Sequence, residues 1–380
     1  MAIPILRPLL PDRHMLLPYL KQVDERRFYS NYGPLVLTLE ERLAARFGLL
    51  AESVTTVANA TLGLVATLSS LDVPNGALCV MPAWTFIATP QAAQMAGQQP
   101  WFLDVDAATW ALDPVAVEHA LGLAPGPVGA VVPVLPFGRP VNLAAWERFR
   151  DRTGIPVVID AAAGFDALTP GNLPCVVSLH ATKALGCGEG GFLVCRDAAL
   201  VRRVRSFSVF GFHGSRVAVR VGSNAKMSEY AAAVGLAALD GWETSRSEFA
   251  GRAEAYAQAF SGHNAVRLPP GFGPEWIAAT YVIGLPDGSA PAVEAALEEA
   301  GIEGRHWWGT GAHDHPSTAA CPALPLPITS QLVGATLGLP FWRDLPDEAV
   351  QLTARTINAA LGGRTKIQGD LAPTTAFNRS

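Results

Sequence analysis

Short apolar runs, many rich in valine, recur through the first half of the chain. The runs at 53–57, 77–81, 101–104, 130–134, 157–160, 176–179 and 192–195 predict strands. Between them, segments near 62–70, 85–97, 113–122 and 142–153 repeat their apolar residues at helical spacing. Strands that alternate with helices predict an α/β fold: a mostly parallel sheet with helices on both faces. Several runs are apolar without interruption, as a sheet buried on both sides requires. A ligand on such a sheet lies beyond the carboxyl ends of the strands.

The rhythm changes near residue 245. Gly241-Trp-Glu-Thr-Ser-Arg246 opens a more charged helical stretch. A strand at 277–284 and a helix at 291–300 follow, and prolines crowd 316–346. These features predict a large domain over 1–245, a smaller C-terminal α/β domain over 246–362 and a loose tail over 363–380. No internal repeat or low-complexity tract interrupts the pattern.

Composition narrows the function classes. The 380 residues are 49% hydrophobic and 16% charged, enough for two packed domains and unlike a disordered chain. A net charge of −5 and the lack of a basic run argue against a nucleic-acid surface. Arg202-Arg203-Val-Arg205 reads as one helix face. Five scattered cysteines suggest reduced thiols in the cytoplasm. Prolines break the N-terminal segment, which does not read as a signal peptide, and no apolar run is long enough for a membrane span. No metal site is expected.

Charge usage directs attention to one residue. The chain has four lysines, at 21, 183, 226 and 366, among 28 basic residues. Arginine stays protonated, whereas lysine can lose its proton and attack a carbonyl. Lys183 sits between an apolar strand-like segment and the glycines Gly186, Gly188, Gly190 and Gly191, whose spacing is not that of a dinucleotide loop.

Three other strand ends add polar or aromatic groups. After 53–57, Asn59-Ala60-Thr61 leads into a helix, where Thr61 is either a helix cap or part of a phosphate seat. After 77–81, Trp84-Thr85-Phe86 offers rings for core packing or for stacking on a planar group. Asp160 ends an apolar strand and needs a cation, a cap or a structural ion pair to balance burial. Ser178, five residues before Lys183, faces the same end. A phosphate seat, a stacking ring, a carboxylate for a ring nitrogen and an imine-forming lysine make up the equipment of a pyridoxal phosphate site.

The chain resembles the pyridoxal-phosphate-dependent sugar aminotransferases of the DegT/DnrJ/EryC1/StrS group across nearly its whole length. The matching segments are Asn31-Tyr-Gly-Pro-Leu35, Pro82-Ala-Trp-Thr-Phe86-Ile-Ala-Thr89, Phe102-Leu-Asp104-Val-Asp106, Asp160-Ala-Ala, Ser178-Leu-His-Ala-Thr-Lys183 through Glu189-Gly-Gly191, Asn224-Ala-Lys-Met-Ser-Glu229, Gly301-Ile-Glu-Gly-Arg305 and Leu339-Pro-Phe341. The resemblance implies the aspartate-aminotransferase type of fold, fold type I. It implies that Lys183 is catalytic and bonded to pyridoxal 5′-phosphate, that Asp160 pairs with the pyridinium nitrogen, and that Phe86 stacks on the ring. It places the phosphate on Ala60, Thr61 and Ser178, and assigns Asn224 to the phosphate of a neighbouring subunit, hence a homodimer with shared sites.

Two positions depart from the family pattern. Ala163 stands where a glutamine or histidine is usual, and Asn59-Ala60 replaces Ser-Gly. The retained lysine points to transamination rather than dehydration. The resemblance suggests L-glutamate as donor and a nucleotide-linked 4-keto-6-deoxyhexose, or a 3-keto isomer, as acceptor, in deoxysugar or polysaccharide synthesis. His213, Trp307, Trp308 and His313 are candidates for the sugar pocket, with packing or surface roles equally open. Rival readings are an aminotransferase for another ketone such as a cyclitol, a non-catalytic regulator, which Lys183 argues against, and a nicotinamide oxidoreductase, which lacks the glycine fingerprint.

Overall fold

In a computed structural model, which describes residues 2–367, the chain opens with helices α1 (Arg13–Arg26) and α2 (Pro34–Arg46). Seven strands and five helices follow, alternating as far as β5, after which β6 and β7 come in succession: β1 (Val54–Val57), α3 (Ala60–Ser69), β2 (Leu78–Pro82), α4 (Ala88–Met95), β3 (Gln99–Leu103), α5 (Pro114–Ala120), β4 (Val128–Val131), α6 (Leu143–Thr153), β5 (Ile159–Asp160), β6 (Cys175–Ser178), β7 (Gly191–Val194) and α7 (Ala198–Ser208). All seven apolar runs contain strands, shifted by one to three residues at their ends.

The ladders β3-β2-β4 and β5-β6-β7-β1 join through the parallel bridges Val131 to Val157 and Val134 to Asp160. The result is one sheet in which β7 alone runs against its neighbours. Val177 and Phe192 pack into a core shared with α2 and α8, while the adjacent Val176 and Leu193 face a second core with α3, α4 and α7. Alternate residues of one strand therefore feed opposite cores, which explains the unbroken apolar runs.

The remaining elements are α8 (Glu229–Asp240), α9 (Trp242–Ala259), β8 (Tyr281–Gly284), α10 (Ala290–Glu299), α11 (Pro327–Ala335), β9 (Thr336–Leu339) and α12 (Asp347–Ile367). Strands β8 and β9 pair antiparallel. Residue 246 falls inside α9, so no break in the chain marks the expected boundary. Packing partners change instead: Trp242 meets Phe165 in the first core, and Phe249 stacks on Phe341 in another that runs to Ile357. The expected tail begins too early, because α12 continues to Ile367; residues 368–380 lie outside the described residues.

Two acidic residues from matched segments serve this architecture. Glu229, almost wholly buried, accepts from the N–H groups of Leu35 (2.8 Å) and Val36 (2.9 Å) and so caps α2 from 194 residues away. Gly33 lets the cap approach, since a Cβ there would lie 2.7 Å from the Glu229 carboxyl carbon and 2.3 Å from Phe28. Asp104 does the same for α11, accepting from Ile328 N, Thr329 N and Thr329 Oγ1 at 2.7–2.8 Å.

Candidate active site

The site grows from the ends of β1, β2, β4, β5 and β6, which all open on one edge of the sheet. At the end of β1 the extended residue Asn59 caps α3: its Oδ1 accepts from Leu62 N at 2.9 Å and its carbonyl from Gly63 N at 3.0 Å. Capping thus falls to Asn59 and not to Thr61. The N–H groups of Ala60 and Thr61, which have no partner within the helix, remain for a ligand, with the Thr61 hydroxyl beside them. Gly191, at the start of β7, presses against this turn. A Cβ there would lie 2.8 Å from Ala60 N and 2.9 Å from the Val177 carbonyl.

Asp160 is buried at the end of β5. Its Oδ2 accepts from Thr89 Oγ1 at 2.8 Å, which is itself 2.9 Å from Thr85 Oγ1, and its Oδ1 accepts from Ala162 N at 3.1 Å. Burial pushes the carboxyl group above its ordinary range, while Thr89, Ala162 and the positive charge of Lys183 pull the other way. Lys183 shows the converse pattern. Burial pushes its ammonium group below the ordinary lysine range, and the Asp160 carboxylate opposes that shift. The amine is therefore held closer to its neutral, nucleophilic form than a solvated lysine.

The loop from β6 to β7 that carries Lys183 is fastened by its own backbone. Leu179 N donates to the Gly190 carbonyl, Ala181 N to Gly188 and Lys183 N to His180, at 2.8–2.9 Å. Gly188 adopts φ +93°, which suits glycine. His180 Nδ1 lies 2.8 Å from Thr182 Oγ1, and its other ring nitrogen lies 3.5 Å from Glu189. Ser178 Oγ accepts from His180 N at 3.2 Å.

A cavity of about 650 Å³ gathers these groups. It brings together Ala60, Thr61, Phe86, Asp160, Ser178, Lys183, Trp307 and Trp308. Phe86 is 56% exposed, an unusual setting for a phenylalanine, and offers an open ring face. His213 is not among the lining residues: it is exposed on the segment between α7 and α8. His313 packs edge-on to Phe102, 6.3 Å between ring centroids, behind the cavity wall. Asn224 is exposed, bridges Val209 and hydrogen-bonds Lys226 outside its own chain's cavity. The sequence reading gave no roles to Thr89, Thr85, His180, Leu6 or Thr280; the two threonines lie within a quoted segment, but only the fold shows them turned toward Asp160.

Ala163 leaves the wall beside Asp160 apolar, formed with Val134, Leu135 and Phe137. Gly138, at φ +96°, keeps that wall close: a Cβ there would sit 2.5 Å from the Ala163 carbonyl. Phe137 stacks on Trp308, with centroids 3.9 Å apart and planes 18° from parallel. The donor set suits a flat, cationic ring bearing a phosphate. Free N–H groups suit the anion at the α3 terminus, a buried carboxylate with lone pairs to spare suits the ring, and an amine whose pKa burial lowers stands beside it.

The model of the DegT/DnrJ/EryC1/StrS aminotransferase family matches residues 12–358. A Mycobacterium tuberculosis protein is 28% identical over 95% of this chain and 91% of its own length. The dTDP-4-amino-4,6-dideoxy-D-glucose transaminase of Shigella dysenteriae is 30% identical over 63% of this chain and 65% of its own. The crystal structure of DesI with its TDP-sugar product superposes with a TM-score of 0.87 at 29% identity, over 97% of this chain and 96% of that one. With a matching model across nearly all of its length, the chain belongs to the DegT/DnrJ/EryC1/StrS aminotransferase family and is a pyridoxal-phosphate-dependent transaminase.

Proposed function

We propose that this transaminase moves an amino group from L-glutamate to a nucleotide-linked keto-deoxysugar, a 4-keto-6-deoxyhexose or its 3-keto isomer. The observation that carries this reading is the cavity itself. Its volume of about 650 Å³ accommodates the cofactor together with a substrate, and one wall is formed by the rings of Phe137, Trp307 and Trp308 rather than by charges. Such a wall suits a ring that has lost a hydroxyl. The TDP-sugar in the related DesI structure and the dTDP-sugar in the Shigella enzyme's name support the same choice.

When bound, the cofactor supplies an electron sink for the carbon whose proton leaves. In this reading Lys183 Nζ would hold the cofactor and, when free, would accept and return the proton of the donor carbon. Asp160, steadied by Thr89 and Ala162, faces the ring nitrogen and keeps it protonated. Ala60, Thr61 and Ser178 hold the phosphate, and Phe86 covers one ring face. Residues 1–245 carry these groups, and the residues from 246 through the end of α12 form a smaller domain against them. Asn224, outside its own cavity, reaches the phosphate of a second copy in a cytoplasmic homodimer. Among the described residues no helix is long and apolar enough to cross a membrane.

The test is a product assay. Purified protein with cofactor and L-glutamate, offered dTDP- and UDP-linked 4-keto-6-deoxyhexoses, yields an amino sugar and 2-oxoglutarate, and Lys183→Ala yields neither. Turnover only with a non-sugar ketone such as a cyclitol would overturn the acceptor assignment and leave the transaminase standing.

A further inference from the structure

A second, smaller cavity of about 120 Å³ adjoins the first and shares Phe137 and Thr280 with it. Its walls carry two guanidinium groups, Arg139 and Arg267, and two indoles, Trp110 and Trp276. Arg139 is fixed in place: its Nη1 donates to the Ala108 carbonyl at 2.7 Å. Arg267 lies across the end of β8. Its backbone pairs both ways with Gly284 at 2.8 Å, and a Cβ on Gly284 would stand 3.1 Å from its Nε and 3.4 Å from its Nη2. Glycine at that position leaves room for the guanidinium to lie flat.

Among the described residues neither arginine has a carboxylate within 4.0 Å. Asp106 is near enough to feel the charge of Arg139, but its Oδ1 is already taken by Ala108 N, Thr109 N and Thr109 Oγ1. Both guanidinium groups line the same cavity, Arg139 half-buried and Arg267 exposed, and each keeps N–H donors for an anion that enters there. At the mouth, Trp110 (φ 61°) and Phe137 (φ 53°) are held in the left-handed region that bulky residues avoid, a strain that concentrates at ligand sites. Trp110 stands edge-on to Phe137, their planes 88° apart. Trp276 is locked by its own N–H bond to the Pro270 carbonyl at 2.9 Å, so it serves as a rigid wall.

We propose that this annex seats an oxyanion, phosphate or carboxylate, carried by a substrate that reacts at Lys183. Continuity through Phe137 and Thr280 ties the anion to the reacting molecule rather than to a separate effector. Guanidinium groups grip either oxyanion through paired N–H donors, and the indole of Trp110 offers a flat surface to the part that bears it. The inference rests on the transaminase reading of the neighbouring cavity and adds a recognition element to it.

The test uses the cofactor-loaded protein with Arg139→Gln, Arg267→Gln, the double variant, and Gly284→Ala, which displaces Arg267 without altering it. Binding of UDP and dTDP is titrated by calorimetry, and the L-glutamate half-reaction is followed through the visible band of the lysine-linked cofactor. The double variant is expected to weaken one ligand class by about tenfold or more, with Gly284→Ala reproducing the Arg267→Gln share. Weakened UDP and dTDP binding identifies the acceptor's phosphate, whereas a raised KM for glutamate alone identifies the donor's distal carboxylate. A double variant that keeps its melting temperature and handles all three ligands within about twofold of wild type overturns the proposal. Nucleotide binding does not depend on the lysine band, so loss of that band in wild-type protein would refute the site reading separately.

Discussion

Thr89 donates its hydroxyl to the buried carboxylate of Asp160 at 2.8 Å, and Thr85 stands 2.9 Å behind it. A carboxylate at the end of an apolar strand is costly to bury, and this relay answers part of that cost while leaving Asp160 able to face a cation. Thr89→Val keeps the shape and removes the donor. The expected result is a loss of about 1–3 kcal/mol in stability of the cofactor-free protein and weaker cofactor binding, read by thermal melting and by absorbance titration.

The shifts at Lys183 and Asp160 predict how the cofactor-free protein titrates. Burial lowers Lys183, and the Asp160 charge raises it. Asp160→Asn removes the raising partner, so Lys183 should titrate at still lower pH. In the reverse experiment, Lys183→Met removes a lowering partner of Asp160, so that carboxyl should titrate at higher pH. NMR of isotopically labelled lysine and aspartate side chains across pH measures both; a shift of either group in the other direction contradicts the pairing.

Glu229 belongs to a segment that looked like part of the site, yet it holds the N-terminus of α2. Glu229→Gln retains the volume and loses the charge over two N–H groups. A stability loss of about 1–3 kcal/mol is expected, with the visible band of bound cofactor unchanged at temperatures where the variant is folded. Loss of the band from a folded variant would mean that Glu229 acts on the site as well.

Gly191→Ala tests the close approach of β7 to the β1 turn. The added methyl meets backbone atoms of Ala60, Asn59 and Val177, none of which can swing aside. Either the strand pairing or the turn must move, so both stability and binding of inorganic phosphate or cofactor should fall. Gly188→Ala, which meets nothing within 4 Å but sits at φ +93°, should cost about 1 kcal/mol and largely spare the turn.

Strand positions were legible because both sheet faces are buried and valine runs carry a strong local signal. Asp160 and Lys183 were legible because a lone charge beside an apolar run asks for an explanation. Helices α2 and α11 were harder, because their caps come from Glu229 and Asp104, far away in the chain, and a local reading finds no capping residue. Trp307 could be assigned to the cavity, but His313, six residues later, could not be separated from it by spacing alone, since the chain turns between them at Gly311 (φ +96°). Thr89 was invisible as a site residue because its role exists only where the first turn of α4 meets the end of β5.

Strands β6 and β7 pair residue for residue up to Ser178 and Gly191, so the segment between them is an arch with both feet planted on neighbouring rungs. An arch of that kind has no slack to pass on to the rest of the molecule. Adding or deleting a residue within it would leave the sheet in register and lift or lower Lys183 itself. Variation in chain length among proteins that keep this lysine should therefore collect elsewhere, in the connections between strand ends and helices, while the span from Ser178 to Gly191 keeps its count.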